Sequence, residues 1–114
     1  MITAPFIQAA NEVTDLEDWG PLAEATGTPM QTSGYTMWSG ENSSEAGIWE
    51  CTAGPSYWSL EQNEFVHILS GSMTVTPDEG HSFLAGPGVT FLVPVGWKGT
   101  WDIHETIRKL YVLF

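Results

Sequence analysis

The 114 residues fit one domain, near the commonest domain size and long enough to bury a core. Hydrophobic residues make up 42% and aromatics 12%, which argues against disorder over most of the chain. Three basic residues against 14 acids leave a net charge of −11, which excludes nucleic acid and anionic membrane surfaces as partners, because neither attracts a negative protein.

The only basic residues are Lys98, Arg108 and Lys109, so a basic patch can form only near the C-terminus. The single cysteine, Cys51, excludes an internal disulfide and a cysteine-rich zinc site. The opening Met-Ile-Thr-Ala-Pro lacks the basic and apolar regions of a secretory signal, and no run has the length of a membrane span. A cytoplasmic protein is therefore the expectation.

In chain order, residues 1–34 read as an N-terminal arm and loop packing on the body, with at most an extended edge strand. Residues 14–18 look like a short acidic helical turn, ended by Gly20-Pro21. From Tyr35 the texture becomes β-rich, and residues 35–114 read as the folded domain. Tyr35-Thr-Met-Trp38, Gly47-Ile-Trp-Glu-Cys-Thr52 and Tyr57-Trp-Ser-Leu60 are β-prone, with a polar loop over 40–45. Glu64 opens the run Phe-Val-His-Ile-Leu-Ser, with a tight turn predicted at Ser70-Gly71. Short runs at Met73, Ser82 and Thr90 follow, separated by Pro77-Asp-Glu-Gly80 and Ala85-Gly-Pro-Gly88. Gly99 to Ile103 and Arg108 to Phe114 read as two further strands around a turn at 104–106. Eight or nine short strands with Gly and Pro punctuation and no sustained 3.6-residue period predict an all-β jelly roll or closed barrel.

Two glycine-anchored strings stand out. Glu64 leads through six residues to Gly71, and Gly88 leads through five residues to Pro94 and then Gly96. The first resembles the end of the first cupin motif, in which two histidines precede a glutamate and a glycine follows. The second resembles the second motif, G-x5-P-x-G-x2-H. Together with Gly47-Ile-Trp-Glu-Cys and Arg108-Lys-Leu-Tyr-Val, they look like the small single-domain cupins grouped with the ureidoglycine aminohydrolase cupin domain and, more distantly, the ethanolamine-utilisation cupin. The resemblance covers roughly residues 35–114. It implies a cupin double-stranded β-helix (an RmlC-like jelly-roll barrel) with a central pocket for a small-molecule ligand, assembled as a homodimer. It also locates the metal ligands of the motif. Here Trp58, Leu60 and Gly99 stand at the three histidine positions, and Glu64 alone of the four ligands is kept. The standard metal site is thus not expected. A divalent metal (Mn, Fe, Zn or Ni) held through Glu64 and non-standard ligands is the variant left open.

Strand parity sets what can share the pocket. If Glu64 points inward, so do Val66 and Ile68, while His67 points to the other face as a hydrogen-bonded structural residue. His81 and His104 read as solvated turn residues, and three scattered histidines make no metal spacing. A carboxyl ringed by Trp58, Leu60, Val66 and Ile68 would be desolvated, which suits general acid or base work; at a barrel mouth it would be hydrated instead. Lys98, near the third histidine position, is the second catalytic candidate, placed to bind a substrate carboxylate or to pair with Glu50 or Glu64. Of Arg108 and Lys109, alternating on the last strand, one is expected to pair internally with an acid. Ligand-lining candidates are Trp49, Tyr57, Trp58, Leu60, Phe91, Trp97 and Trp101, with Trp49 weighted towards the core. Trp19 reads as a lid or anchor, and Cys51 as an inert buried thiol. Two functions stay open: a metal-free enzyme of proton transfer, hydrolysis or elimination, and a non-catalytic module that senses or sequesters a small ligand.

Overall fold

A computed structural model describes residues 2–114. Eight strands follow in chain order: β1 (Glu17–Pro21), β2 (Gln31–Ser39), β3 (Glu45–Cys51), β4 (Gly54–Ser59), β5 (Glu64–Pro77), β6 (Phe83–Ala85), β7 (Thr90–Val93) and β8 (Lys98–Leu113). All pairings between them are antiparallel. This is the all-β jelly-roll architecture that the punctuation predicts. Among the described residues, no helix is long and apolar enough to cross a membrane.

The fold turns on β5 and β8, which lie side by side along almost their whole length. The first half of β5 has β7 on its other edge, and the second half has β6. The first half of β8 has β4 on its other edge, and the second half has β3, followed by β2 and β1. Each long strand therefore belongs to both layers of the roll. The register slips between Ile68 and Met73, where the strand pair bends. Gly71 sits in this bend at φ +82°, and a Cβ there would overlap the Thr106 carbonyl. That close approach explains the glycine.

Three local expectations are corrected. Ser70-Gly71 is a bulge inside β5 and not a turn between strands, because β8 continues to pair on both sides of it. Residues 104–106 likewise lie within β8, and His104 is an exposed strand residue whose Nε2 lies 2.7 Å from Thr74 Oγ1. Residues 14–18 form no helical turn. The single 3-10 turn of the arm is Ala10–Glu12, and Glu17 and Asp18 enter β1, where pairing with β2 satisfies their backbone. β2 starts at Gln31 and so runs across the expected arm–body junction.

The core lies between the layers: Met30, Cys51, Val66, Ile68, Met73, Val75, Ala85, Val93, Trp101, Ile103 and Ile107 are all buried in one cluster. Outside it, the arm is tied down by Arg108, whose Nη1 donates to the Ala10 carbonyl at 2.9 Å while Nε donates to Glu50 Oε2 at 2.8 Å.

Candidate functional site

The inner face of β3, β8 and β5 is built in cross-strand rows. Trp49, Lys109 and Ile68 form one row, Gly47, Tyr111 and Val66 the next, and Glu45, Leu113 and Glu64 the last. Period-2 alternation places Lys109, Tyr111 and Leu113 inside and sends Arg108, Leu110 and Val112 to the other face. The expected parity of Glu64, Val66 and Ile68 holds, since all three are buried. His67 turns the other way, with Nδ1 2.7 Å from Thr90 Oγ1.

The centre of this face is an ion pair. Lys109 Nζ donates to Glu64 Oε2 at 2.5 Å, with the two side chains only 4% and 7% exposed. The ammonium also stands 4.4 Å from the Trp49 ring centroid and 4.3 Å from that of Trp101. Opposite charge and two aromatic faces together offset the desolvation that burying an ammonium and a carboxylate costs. Trp58 closes the wall, 4.7 Å from Trp101 and edge-on to Trp49 at 6.3 Å. Its orientation is set by Nε1 donating to Ser56 Oγ at 2.8 Å, while Ser56 donates to the Trp101 carbonyl at 3.0 Å.

Beside the pair opens a cavity of about 210 Å³. Trp49, Trp58 and Trp19 wall it, Glu64 and Lys109 line it together, and Glu45, Tyr111 and Leu113 complete it. Its volume lies below the ~300–1,000 Å³ of pockets for drug-sized ligands, so it suits a small molecule. Tyr111 donates its hydroxyl to Glu45 Oε2 at 2.6 Å. Burial, and then this bond to a carboxylate, hold the phenol well above its usual pKa, so it stays a neutral hydroxyl. A second hollow shares Trp58, Glu64 and Leu113 and adds Glu24, Leu60 and Glu61, giving the approach an acidic rim.

The sequence candidates divide by place. Glu64, Trp49 and Trp58 meet at the cavity, and Trp101 lies directly beneath Lys109, fully buried. Leu60 borders the adjoining hollow. Trp97 packs on Trp101 at 6.4 Å, Phe91 packs on Phe83 at 5.2 Å, and exposed Tyr57 donates to Asp78 Oδ2 at 2.5 Å. Lys98 is not brought to Glu50 or Glu64. It lines a separate hollow with Asp78, Glu79 and Trp97, while Arg108 takes Glu50 and Lys109 takes Glu64. Both late basic residues, not one, therefore have carboxylate partners. Lys109, Tyr111 and Glu45 were not singled out as pocket residues in the sequence, whereas Trp19, expected as a lid or anchor, lines the cavity. Period-2 spacing puts Lys109 and Tyr111 on one face, but only the register of β8 against β5 shows that this face is Glu64's. Trp19 reaches the cavity from a bulge in β1, where the register skips it and its ring covers Gly34.

The donor set does not fit a divalent metal. Glu64 Oε2 already accepts from an ammonium, and the cavity beside it is lined mainly by indoles, a phenol and a leucine. At the third histidine position, a side chain on Gly99 would meet Trp97 Cη2 and the Thr76 carbonyl at 2.5 Å. Among the described residues, no three His, Cys, Asp or Glu side chains are grouped to hold a metal. The one buried side-chain polar atom without a partner among them is Trp101 Nε1, an N–H donor that cannot ligate a cation.

Comparison with known proteins places this geometry in a family. The model of the EutQ-like cupin domain matches residues 39–111. No curated protein matches the chain. Among solved structures, a protein of unknown function of the DUF861 family from Pseudomonas syringae pv. tomato superposes with a TM-score of 0.81 at 17% identity, over 91% of this chain and 46% of that one. The chain thus spans under half the length of that protein. The Clostridium difficile EutQ protein gives a TM-score of 0.65 at 20% identity, over 81% of this chain and 76% of its own. A DUF861 family protein from Thermotoga maritima is 33% identical over 59% of this chain and 76% of that one, with a TM-score of 0.56.

Proposed function

The chain belongs to the EutQ-like cupin domain family, and on that premise we propose that it is a small-molecule enzyme that binds a small polar organic ligand beside Glu64 and transfers a proton on it without the three-histidine metal site. The observation that carries this reading is the Glu64–Lys109 pair at 2.5 Å, set in indole walls and opening on a cavity of about 210 Å³. The Glu64 carboxylate, held in place by the ammonium, is the group in this cavity that would accept the proton. Tyr111, a neutral hydroxyl oriented by Glu45, supplies a fixed polar contact in the same cavity. In the chemistry proposed, Glu64 takes a proton from the ligand and the electron pair stays on the ligand. Return of the proton to another atom gives isomerisation, and departure of a leaving group gives elimination.

The test uses tag-free protein in D₂O with a panel of small hydroxy acids, keto acids, amides and amino alcohols. Binding is read from the indole N–H signals of Trp49 and Trp58, and turnover from deuterium incorporation or new product by proton NMR. Wild type should bind and turn over at least one compound, and Glu64→Gln should keep affinity while losing turnover. No shift of either indole across the panel would sink the pocket reading. The sandwiching of Lys109 between two rings favours a second reading, a non-catalytic binding module, and binding without turnover in wild type would select it.

A homodimer is part of the same proposal. Leu92, Phe65, Val112, Ala46 and Trp38 align across β7, β5, β8, β3 and β2 on the outer face, and the four large ones are 37–51% exposed. An uncharged row on a chain of net charge −11 suits contact with a second copy. Light scattering should give twice the chain mass for wild type and a single mass for Phe65→Lys; a wild-type monomer at every concentration would remove the dimer.

A further inference from the structure

We infer that Lys109 is a built-in counter-cation to Glu64: it supplies from within the chain the positive charge that the cupin motif assigns to a divalent metal. The inference rests on the metal-independent part of the proposed function and requires no turnover. Glu64 is the only residue kept of the four at the motif's ligand positions, and it is the one that Lys109 engages. The other three positions have been put to different uses. Trp58 is an indole wall hydrogen-bonded to Ser56, Leu60 borders the adjoining hollow, and the space a residue-99 side chain would need is filled by Trp97. A lone buried carboxylate would be costly without a compensating charge, and a site with one ligand cannot hold a metal tightly enough to provide it.

The geometry distinguishes Lys109 from an ordinary ion-pair partner. Its ammonium has a carboxylate on one side and ring centroids at 4.3 and 4.4 Å, so it is enclosed by the groups that best stabilise a cation in a dry site. The adjacent Arg108 serves the opposite face, binding Glu50 and the Ala10 carbonyl. Lys109 is thus a positioning residue for Glu64. Its fixed charge makes the barrel indifferent to chelators and to the metal supply.

The experiment combines metal analysis with a double-mutant cycle on the full chain. Tag-free wild type should carry far less than one Mn, Fe, Zn or Ni per chain, and its thermal midpoint should not move with EDTA or added metal. Lys109→Met and Glu64→Gln should each lower the midpoint by roughly 10 °C or more, because each leaves a buried partner uncompensated. The double variant E64Q/K109M should recover much of that loss. One tightly held divalent ion per chain that disappears in Glu64→Gln would overturn the inference. So would a double variant no more stable than Lys109→Met, including the case in which neither folds. These readouts need no ligand, so a failure of the proposed enzyme activity would leave them standing.

Discussion

β5 and β8 meet twice, and the two meetings make opposite interiors. Around Glu64, Val66 and Ile68, facing Leu113, Tyr111 and Lys109, the ladder carries a buried ion pair, a tied phenol and a cavity. Around Met73 and Val75, facing Ile103 and Trp101, it is fully packed and apolar, joined by Ala85 from β6. Backbone pairing is antiparallel in both halves, so hydrogen bonding does not separate them. What differs is the covering. β4 and β6 flank the apolar half, whereas β3 and β7 flank the other, where the arm's Trp19 lines a cavity beside the ion pair. One strand pair can serve as both core and site because the bend near Gly71 sends its two halves to different neighbours.

The sharpest way to break this comparison is to remove one half. Deleting residues 112–114 takes away the last pairings of β8 with β3 and β5 and the two backbone bonds between Phe114 and Asn63. The expected loss is on the order of 5 kcal/mol or more, enough to abolish the cooperative transition of a domain of ordinary stability. An unchanged melting temperature would contradict the pairing scheme. A smaller effect is expected in the apolar half. Met73→Ala opens a void in the buried apolar cluster and should cost about 2–5 kcal/mol by denaturant unfolding. It should leave the Trp49 and Trp58 indole signals in place; if those shift as much as the stability falls, the halves are not separable.

The smallest effect concerns Cys51, at the end of β3. Burial pushes its thiol from 9.0 up to about 11, with the Lys109 charge pulling the other way. The folded state holds this proton more tightly than the unfolded chain. The corresponding stability is present below pH 9 and is lost as pH rises towards about 11. Cys51→Val should flatten the fall of stability across that window. Equal slopes in the two proteins would show that other groups, such as Tyr111, account for it.

Much of the architecture was legible from local signals. Alternating apolar runs and Gly and Pro punctuation predicted an all-β jelly roll or barrel, the resemblance carried by Glu64–Gly71 and Gly88–Gly96 implied a cupin roll, and strand parity put Glu64, Val66 and Ile68 on one face. The same signals misread Gly71 and His104. A glycine in a bulge and a glycine in a turn look alike when the partner strand is unknown, and polar residues in an exposed strand resemble a loop.

The sequence by itself determined the all-β architecture and the shared face of Glu64, Val66 and Ile68, because both follow from residue type and period-2 spacing, and the resemblance to the cupin motifs showed that the three histidines are replaced. Only the tertiary structure decided which cation answers Glu64. Lys98 lies nearer in sequence, yet Lys109 is the residue that β8 brings across β5 and between Trp49 and Trp101. Pairing across 45 residues depends on strand register, and register is a property of the whole sheet that no local pattern records.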